Sequence, residues 1–190
     1  MLLILVWLVM RFSSKPVKRR EGWGQYALHA LGAAVGFWLL FGSGEEMGWL
    51  QLRWLPNVPE AWAAGLLLTA VGIGGSIWAR WTLGRNWSSA VTLKADHQLI
   101  RQGLYRRIRH PIYSGILLAM IGTAMIRGRL RGLLGCAVVL GAFYIKARRE
   151  ERFLGQEFGP QFEEHTRNTG MFLPKWTGRA RRDEGSNSEG

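Results

Sequence analysis

Residues 61–79 read AWAAGLLLTAVGIGGSIWA and hold no charged side chain. That length is close to the roughly 20 apolar residues a helix needs to cross a bilayer. Toward the N-terminus, Trp23 to Phe41 forms a second run of the same kind. Between the two, GSGEEMGWLQLRWLPNVPE sets Glu45, Glu46 and Glu60 against Arg53 alone, whereas basic segments flank the pair on both sides. The acidic loop is therefore expected outside and the basic segments in the cytoplasm. Residues 1–10, MLLILVWLVM, are apolar but short, and Arg11, Lys15, Lys18, Arg19 and Arg20 follow them. A cleaved signal peptide carries its charge before the apolar core and a small-residue cleavage site after it. This segment reads instead as a short first span with its N-terminus outside.

Further along, Pro111 to Ile126 and Gly132 to Ile145 are two shorter apolar runs joined by RGRLR. Three arginines at that turn oppose the positive-inside rule for two full crossings. The hairpin is expected to tilt, to stop short, or to let its arginines snorkel. From Lys146 the chain turns polar, with Phe153, Leu154, Phe158 and Phe162 at helical spacing, so the last apolar helix is expected to continue into the cytoplasm as an amphipathic piece. Residues 178–190 are rich in Arg, Ser, Glu and Gly and read as a disordered tail. The expected fold is all-α: a polytopic membrane helix bundle with about five spans, in one domain over residues 1–177.

Composition agrees with that class. Hydrophobic residues make up 48% of the 190-residue chain and charged residues 20%, with 10 Trp and 25 Gly. The net charge of +12 falls between apolar segments rather than on one soluble face, which favours anionic lipid headgroups over nucleic acid. The single Cys136 lies in an apolar run, so neither a disulfide framework nor a CxxC metal motif exists, and it reads as a small buried hydrophobe. Gly32 and Gly36 form a GxxxG, and Gly65, Gly72, Gly74 and Gly75 add small surfaces, all suited to close helix packing in lipid. The stretch GIGG lacks the spacing and the preceding strand of a nucleotide loop. His29 reads as a satisfied helix-interface histidine.

Chemistry concentrates in GLYRRIRHPIYSG, residues 103–115. Proline suits the first position of a helix, because its missing N–H would be unsatisfied there. HPIYSG is thus a helix start, with the free N–H groups of Ile112 and Tyr113 beside Arg106, Arg107 and Arg109. A helix N-terminus with adjacent cations is an anion site; the alternative is a cationic membrane anchor with an interfacial tyrosine. Lys146 and Glu150 share a helix face at i, i+4, with Glu151 next to them. Both clusters lie at the same membrane face, where a zwitterionic cofactor could arrive from water and a lipid from the bilayer. No nucleophilic triad and no metal-ligand cluster is present.

The segment LGRNWSSAVTLKADHQLIRQGLYRRIRHPIYSG (83–115), followed by KARREERFLGQEFG (146–159), resembles the isoprenylcysteine carboxyl methyltransferase family of integral membrane enzymes, relatives of the phospholipid methyltransferases. The likeness covers about Leu83 to Pro174 and rests on G-x-Y, R-H-P-x-Y-x-G, E-E-x-x-L and F-G in combination. It implies S-adenosylmethionine as methyl donor, held by residues within 83–177 in a cytoplasmic-side pocket capped by the C-terminal segment. The implied cofactor contacts are His97, Gln98, Leu99, Ile100, Tyr105, His110, Pro111, Ile112, Tyr113 and Glu150. Arg109 and Lys146 would position the reactants, and Lys146 stands where the family has a substrate-facing arginine, keeping its charge but not its bidentate fork. Phe162 and His165 stand where the family usually has tyrosines. The implied reaction is O-methylation of a carboxylate on an isoprenylcysteine-like or other lipid-borne acceptor. Methylation of an amino lipid or a small thiol, a sterol-reductase-like NADPH enzyme, and a non-catalytic membrane scaffold are the rival readings.

Overall fold

The computed structural model describes residues 17–20, 22–42, 48–84, 92–94 and 99–175. The expected span at 1–10, the cofactor candidates His97 and Gln98, and the tail at 178–190 lie outside the described residues. The chain is helical, with α1 at Trp23–Phe41, α2 at Pro59–Leu83, α3 at Pro111–Arg127, α4 at Leu130–Phe158 and α5 at Pro160–Asn168. To the all-α expectation the structure adds one antiparallel ribbon, β1 (Val17–Arg20) with β2 (Thr92–Lys94), bulged between Val17 and Arg19. The long basic, mostly polar connection after α2 supplies its second strand.

Among the described residues, α2 and α4 are long and apolar enough to cross a bilayer, while α3 and Tyr26–Phe41 are shorter apolar helices. At about 1.5 Å per residue, the 17 residues of α3 reach only about 25 Å. Helix α4 runs on unbroken past Lys146 for 29 residues in all, as the amphipathic spacing predicts, and stops at Gly159, whose φ of 49° lies in the left-handed region. Pro160 then opens α5 in a new direction.

The helices stand in the order α2, α3, α4, α1, each packed on the next. Glycines set the spacing. A Cβ on Gly36 would lie 2.8 Å from the Gly135 carbonyl oxygen, and one on Gly115 would lie 2.6 Å from that of Gly72. Such contacts bring backbones together where lipid provides no hydrophobic drive. Gly65 is similarly close to Gly122, but Gly74 and Gly75 meet nothing within 4 Å, so only part of the expected glycine surface is used inside the chain.

Burial is inverted relative to a water-soluble domain. Arg80 and Ser76 are enclosed at 1% and 0% exposure, while Leu66 and Leu67 on the same helix are each 64% exposed. An outward apolar face around a polar interior fits lipid as the surrounding medium. The core runs from Leu40, Val139 and Ala124 through Leu117 and Phe143 to Tyr113 and Tyr105, and so ends among the residues of the 103–115 stretch.

Candidate active site

The start of α3 places the site. His110 is the N-cap residue and Pro111 occupies the first turn without a side-chain cap. Pro111 and Ile112 are buried, and the Ile112 carbonyl accepts a hydrogen bond from Ser76 Oγ at 3.2 Å, fixing this turn against α2. Three residues beyond His110, one helical turn, Tyr113 stacks on the imidazole with ring centroids 5.5 Å apart and planes 5° apart. Phe143 of α4 stacks on Tyr113 at 4.7 Å, and Lys146 Nζ stands 5.2 Å from the centre of the tyrosine ring.

Beyond Lys146 the apolar part of α4 has ended, and its polar continuation meets the start of α3 through a chain of charged groups. Tyr113 donates its hydroxyl to Glu150 at 2.7 Å. His110 Nδ1 faces Glu150 at 3.4 Å, and Nε2 faces Glu151 at 3.3 Å. Arg109 Nε donates to Glu151 at 2.6 Å. Burial opposes charge on His110, yet hydrogen bonds to Glu150 and Glu151 outweigh it and hold its pKa above the ordinary histidine value. Burial likewise disfavours charge on Glu150, but the bond to His110, the Lys146 charge and the Tyr113 hydroxyl keep its pKa below the usual carboxylate value. Glu151 shifts the same way, its burial outweighed by His110 and Arg109. The cluster therefore favours a charged imidazole between two ionised carboxylates, since only the doubly protonated ring can donate to both.

A strap from the C-terminal segment crosses this cluster. The backbone N–H groups of Arg109 and His110 donate to the carbonyls of Gly170 (2.8 Å) and Met171 (3.1 Å), and Gly170 N–H donates to Arg107 (3.1 Å). Ser114 Oγ reaches the Phe172 carbonyl at 2.6 Å, and the Phe172 ring lies 6.1 Å from His110. Arg109 ties the strap to α4 by also reaching the Thr169 carbonyl. These contacts revise the anion site expected at the helix start. Ile112 and Tyr113 are buried, Arg109 is engaged with Glu151, and Arg106 is exposed, so the three arginines do not gather round the helix terminus.

Beside the end of α2, against His110 at the start of α3, lies a crevice of 70 Å³. Its apolar wall is Leu83, Leu99, Ile100, Leu154 and Phe162, and its polar wall is Tyr105, Arg109, His110 and His165. Burial, reinforced by the Glu150 charge, pushes the Tyr105 phenol up, so it stays protonated. Burial and the Arg101 and Arg109 charges hold His165 below the ordinary value, so it is neutral. The sequence-derived residues thus divide around His110. Leu99, Ile100 and Tyr105 face the crevice, Tyr113, Glu150 and Lys146 lie on the other side, and Pro111 and Ile112 hold the helix from behind.

Several participants escaped the sequence reading. Glu151 was legible as half of an acidic pair, but its bond to Arg109 was not. Phe143 sits within an apolar run, and nothing local sets it apart. A C-terminal cap was implied by the resemblance, but its contact residues were not, TGMF being marked only as an apolar pair after a polar helix. Arg80, buried beside Tyr105, was marked only by being a charge at the edge of an apolar run.

The sequence pattern of the phospholipid methyltransferase family matches residues 61–161. The chain is 32% identical over 125 residues to "Probable protein-S-isoprenylcysteine O-methyltransferase" of Oryza sativa subsp. indica, covering 63% of this chain and 65% of that protein. It is also 32% identical over 116 residues to "Cobalt-zinc-cadmium resistance protein CzcN" of Cupriavidus metallidurans, covering 60% of this chain and 52% of that one. Among solved structures, a eukaryotic intramembrane Ras methyltransferase, isoprenylcysteine carboxyl methyltransferase, superposes with a TM-score of 0.50 at 26% identity, over 81% of this chain and 53% of that one. The chain spans less than two thirds of the length of each of these proteins.

Proposed function

From a chain that belongs to the phospholipid methyltransferase family, we propose an S-adenosylmethionine-dependent membrane methyltransferase that esterifies a carboxylate on an isoprenylcysteine-like or other lipid-borne acceptor. The name of the Oryza sativa relative and the likeness to the Ras methyltransferase support the reaction class. The observation that carries the reading is the buried Tyr113–Glu150–His110–Glu151–Arg109 network, with Lys146 one turn closer to the apolar segment.

The donor set suits the proposed cofactor. Ionised Glu150 can face a cationic group, and Leu99 and Ile100 beside Tyr105 offer an apolar wall with a polar edge, apt for a nucleoside. His97, Gln98, Pro111 and Ile112 complete the proposed cofactor contacts by resemblance. S-adenosylmethionine supplies an electrophilic methyl group when bound. The crevice, at 70 Å³, is well below the ~300 Å³ usual for small-molecule sites, so loading requires its walls to part.

A terminal carboxylate has a pKa of roughly 3.5 and is already ionised at neutral pH, so it is a nucleophile without a general base. The residues then act by alignment and exclusion of water. Lys146, 8% exposed, is the cation available to an acceptor carboxylate arriving from the bilayer, and the Phe143 and Tyr113 rings form its apolar approach. His110, clamped between two carboxylates, orients Glu150, and Arg109 holds Glu151 and the strap in register. One domain over residues 1–177 would cross the membrane about five times, its N-terminus outside. The network would then lie on the cytoplasmic side, where the basic segments around 83–110 and after Lys146 belong.

The test is purified full-length chain with methyl-labelled S-adenosylmethionine, offered prenylcysteines, amino lipids and thiols. Base-labile label on a prenylcysteine is the expected product. Label only on amines or thiols refutes the carboxylate acceptor. Thermal stabilisation by NADPH but not by S-adenosylmethionine refutes the reaction class.

A further inference from the structure

The RGRLR turn between α3 and α4 is unexplained by methyl transfer. It lies at the far end of α3 from His110, about 25 Å away by helix rise. Gly128, with φ 63°, makes the turn, and the loop after the short helical turn at Gly48–Gln51 folds against it. Trp54 N–H donates to the Gly128 carbonyl and Leu130 N–H to that of Leu52, each at 3.0 Å. This brings Arg53 beside Arg127, Arg129 and Arg131, and all four line one cavity of 720 Å³.

None of the four is paired with a carboxylate among the described residues. Arg53 donates to the carbonyls of Leu55 (3.2 Å) and Arg127 (3.3 Å), Arg127 to Gly42 (3.4 Å), and Arg129 to Gln51. Arg131 is 3% exposed, and its buried Nε and Nη1 have no hydrogen-bond partner. An uncompensated buried guanidinium is costly, and three like charges beside it raise the cost. A bound anion removes both penalties at once.

We propose that this cavity binds a phosphate group. Four guanidiniums call for a ligand with several acceptor oxygens, and the planar fork matches phosphate in bidentate fashion. Both a lipid headgroup and free phosphate carry that chemistry. The Trp62 and Ile126 walls, with Trp49 and Leu52 exposed on the same loop, suit a headgroup whose chains continue into lipid. The site also accounts for arginines at a turn where the positive-inside rule disfavours them, because each cation would meet its counter-charge in the bound ligand. It stands independently of the methyl-transfer reading.

The experiment uses the full chain in two arms. In neutral detergent, inorganic phosphate is titrated and thermal stability recorded. In phosphatidylcholine nanodiscs with and without phosphatidylglycerol, stability is recorded and retained lipid is identified by native mass spectrometry. Stabilisation by either probe is expected, and the responding arm identifies the source. Arg129→Gln and Arg131→Met should each weaken binding at least about tenfold, with an unchanged circular dichroism spectrum and elution volume as the control for folding. If Arg131→Met fails to fold, Arg129→Gln carries the test. No stabilisation in either arm, or equal binding by the variants, overturns the proposal. So does a native protein that binds neither probe while Glu45→Gln/Glu46→Gln gains binding, since the chain's own carboxylates would then fill the cavity.

Discussion

Glu150→Gln isolates the charge of the carboxylate from its shape. In the native network Glu150 accepts from the Tyr113 hydroxyl at 2.7 Å and from His110 at 3.4 Å, and it feels the Lys146 charge one helical turn away. Glutamine keeps an oxygen for Tyr113 and removes the charge that both cations use. Losing one partner of a desolvated charge pair typically costs about 2–5 kcal/mol. His110 keeps Glu151 at 3.3 Å and can give up its proton, so the lower part of that range applies. About 2–3 kcal/mol corresponds to about a thirtyfold to a hundred-and-fiftyfold rise in the dissociation constant for S-adenosylmethionine. Calorimetric titration measures it, and a melting curve on the same sample shows whether the fold persists. A dissociation constant within about twofold of native, in a folded protein, would refute the view that Glu150 serves the cofactor through its charge.

The acceptor side has its own variant. Lys146→Ala should leave S-adenosylmethionine affinity nearly unchanged and lower turnover with a carboxylate acceptor at least about tenfold, while Lys146→Arg retains turnover; normal turnover in Lys146→Ala moves amines and thiols ahead as acceptors. The pKa shifts set a pH window for stability. His110, raised above its ordinary value of 6.5, stabilises fully below that pH and loses its contribution as pH climbs through the raised value, whereas Glu150 and Glu151, lowered from 4.5, contribute above that pH and lose it as pH falls through the depressed values. Melting temperature should therefore fall as pH rises above 6.5 through the raised His110 value in native protein, and His110→Gln should flatten that step. Packing is tested at the glycines: Gly115→Ala presses a methyl onto Ser76 and the Gly72 carbonyl at 2.6 Å, and should cost about 1–3 kcal/mol and weaken cofactor binding, whereas Gly74→Ala meets open space and should not destabilise.

The helices were legible because lipid leaves little choice. A run such as 61–79 with no charged side chain has one good conformation in a bilayer, and the structure continues it as α2 from Pro59 to Leu83. The turn from α3 to α4 was legible as RGRLR, a polar break between two apolar runs, and Gly128 makes it at φ 63°, which a side chain would resist. Two features were not. The β1–β2 ribbon joins segments more than seventy residues apart, and short basic strands carry too little alternation to announce themselves. Nor could composition decide which glycines face a neighbouring helix. Gly72 and Gly75 differ by less than one turn, yet one touches the α3 backbone and the other touches nothing.

The site divides along the same physical line. Groups that share one helix are ordered by its period, so Lys146 with Glu150 was readable as a pair at i, i+4. Groups that meet because two helix ends happen to abut are not ordered by any period. Arg109 looked like one of three anchoring cations, but its reach to Glu151 and to the Thr169 carbonyl makes it the tie between α3, α4 and the strap. The strap itself is joined by backbone carbonyls, which carry no sequence identity, so Gly170 and Met171 hold the helix start without any residue type that would disclose it. What their side chains do specify is access. A Cβ on Gly170 would press into the Leu173 carbonyl, so glycine there lets the strap fold flat over His110. The resemblance implied a C-terminal cap, but which groups join it to the helix start is written in main chain and has to be seen.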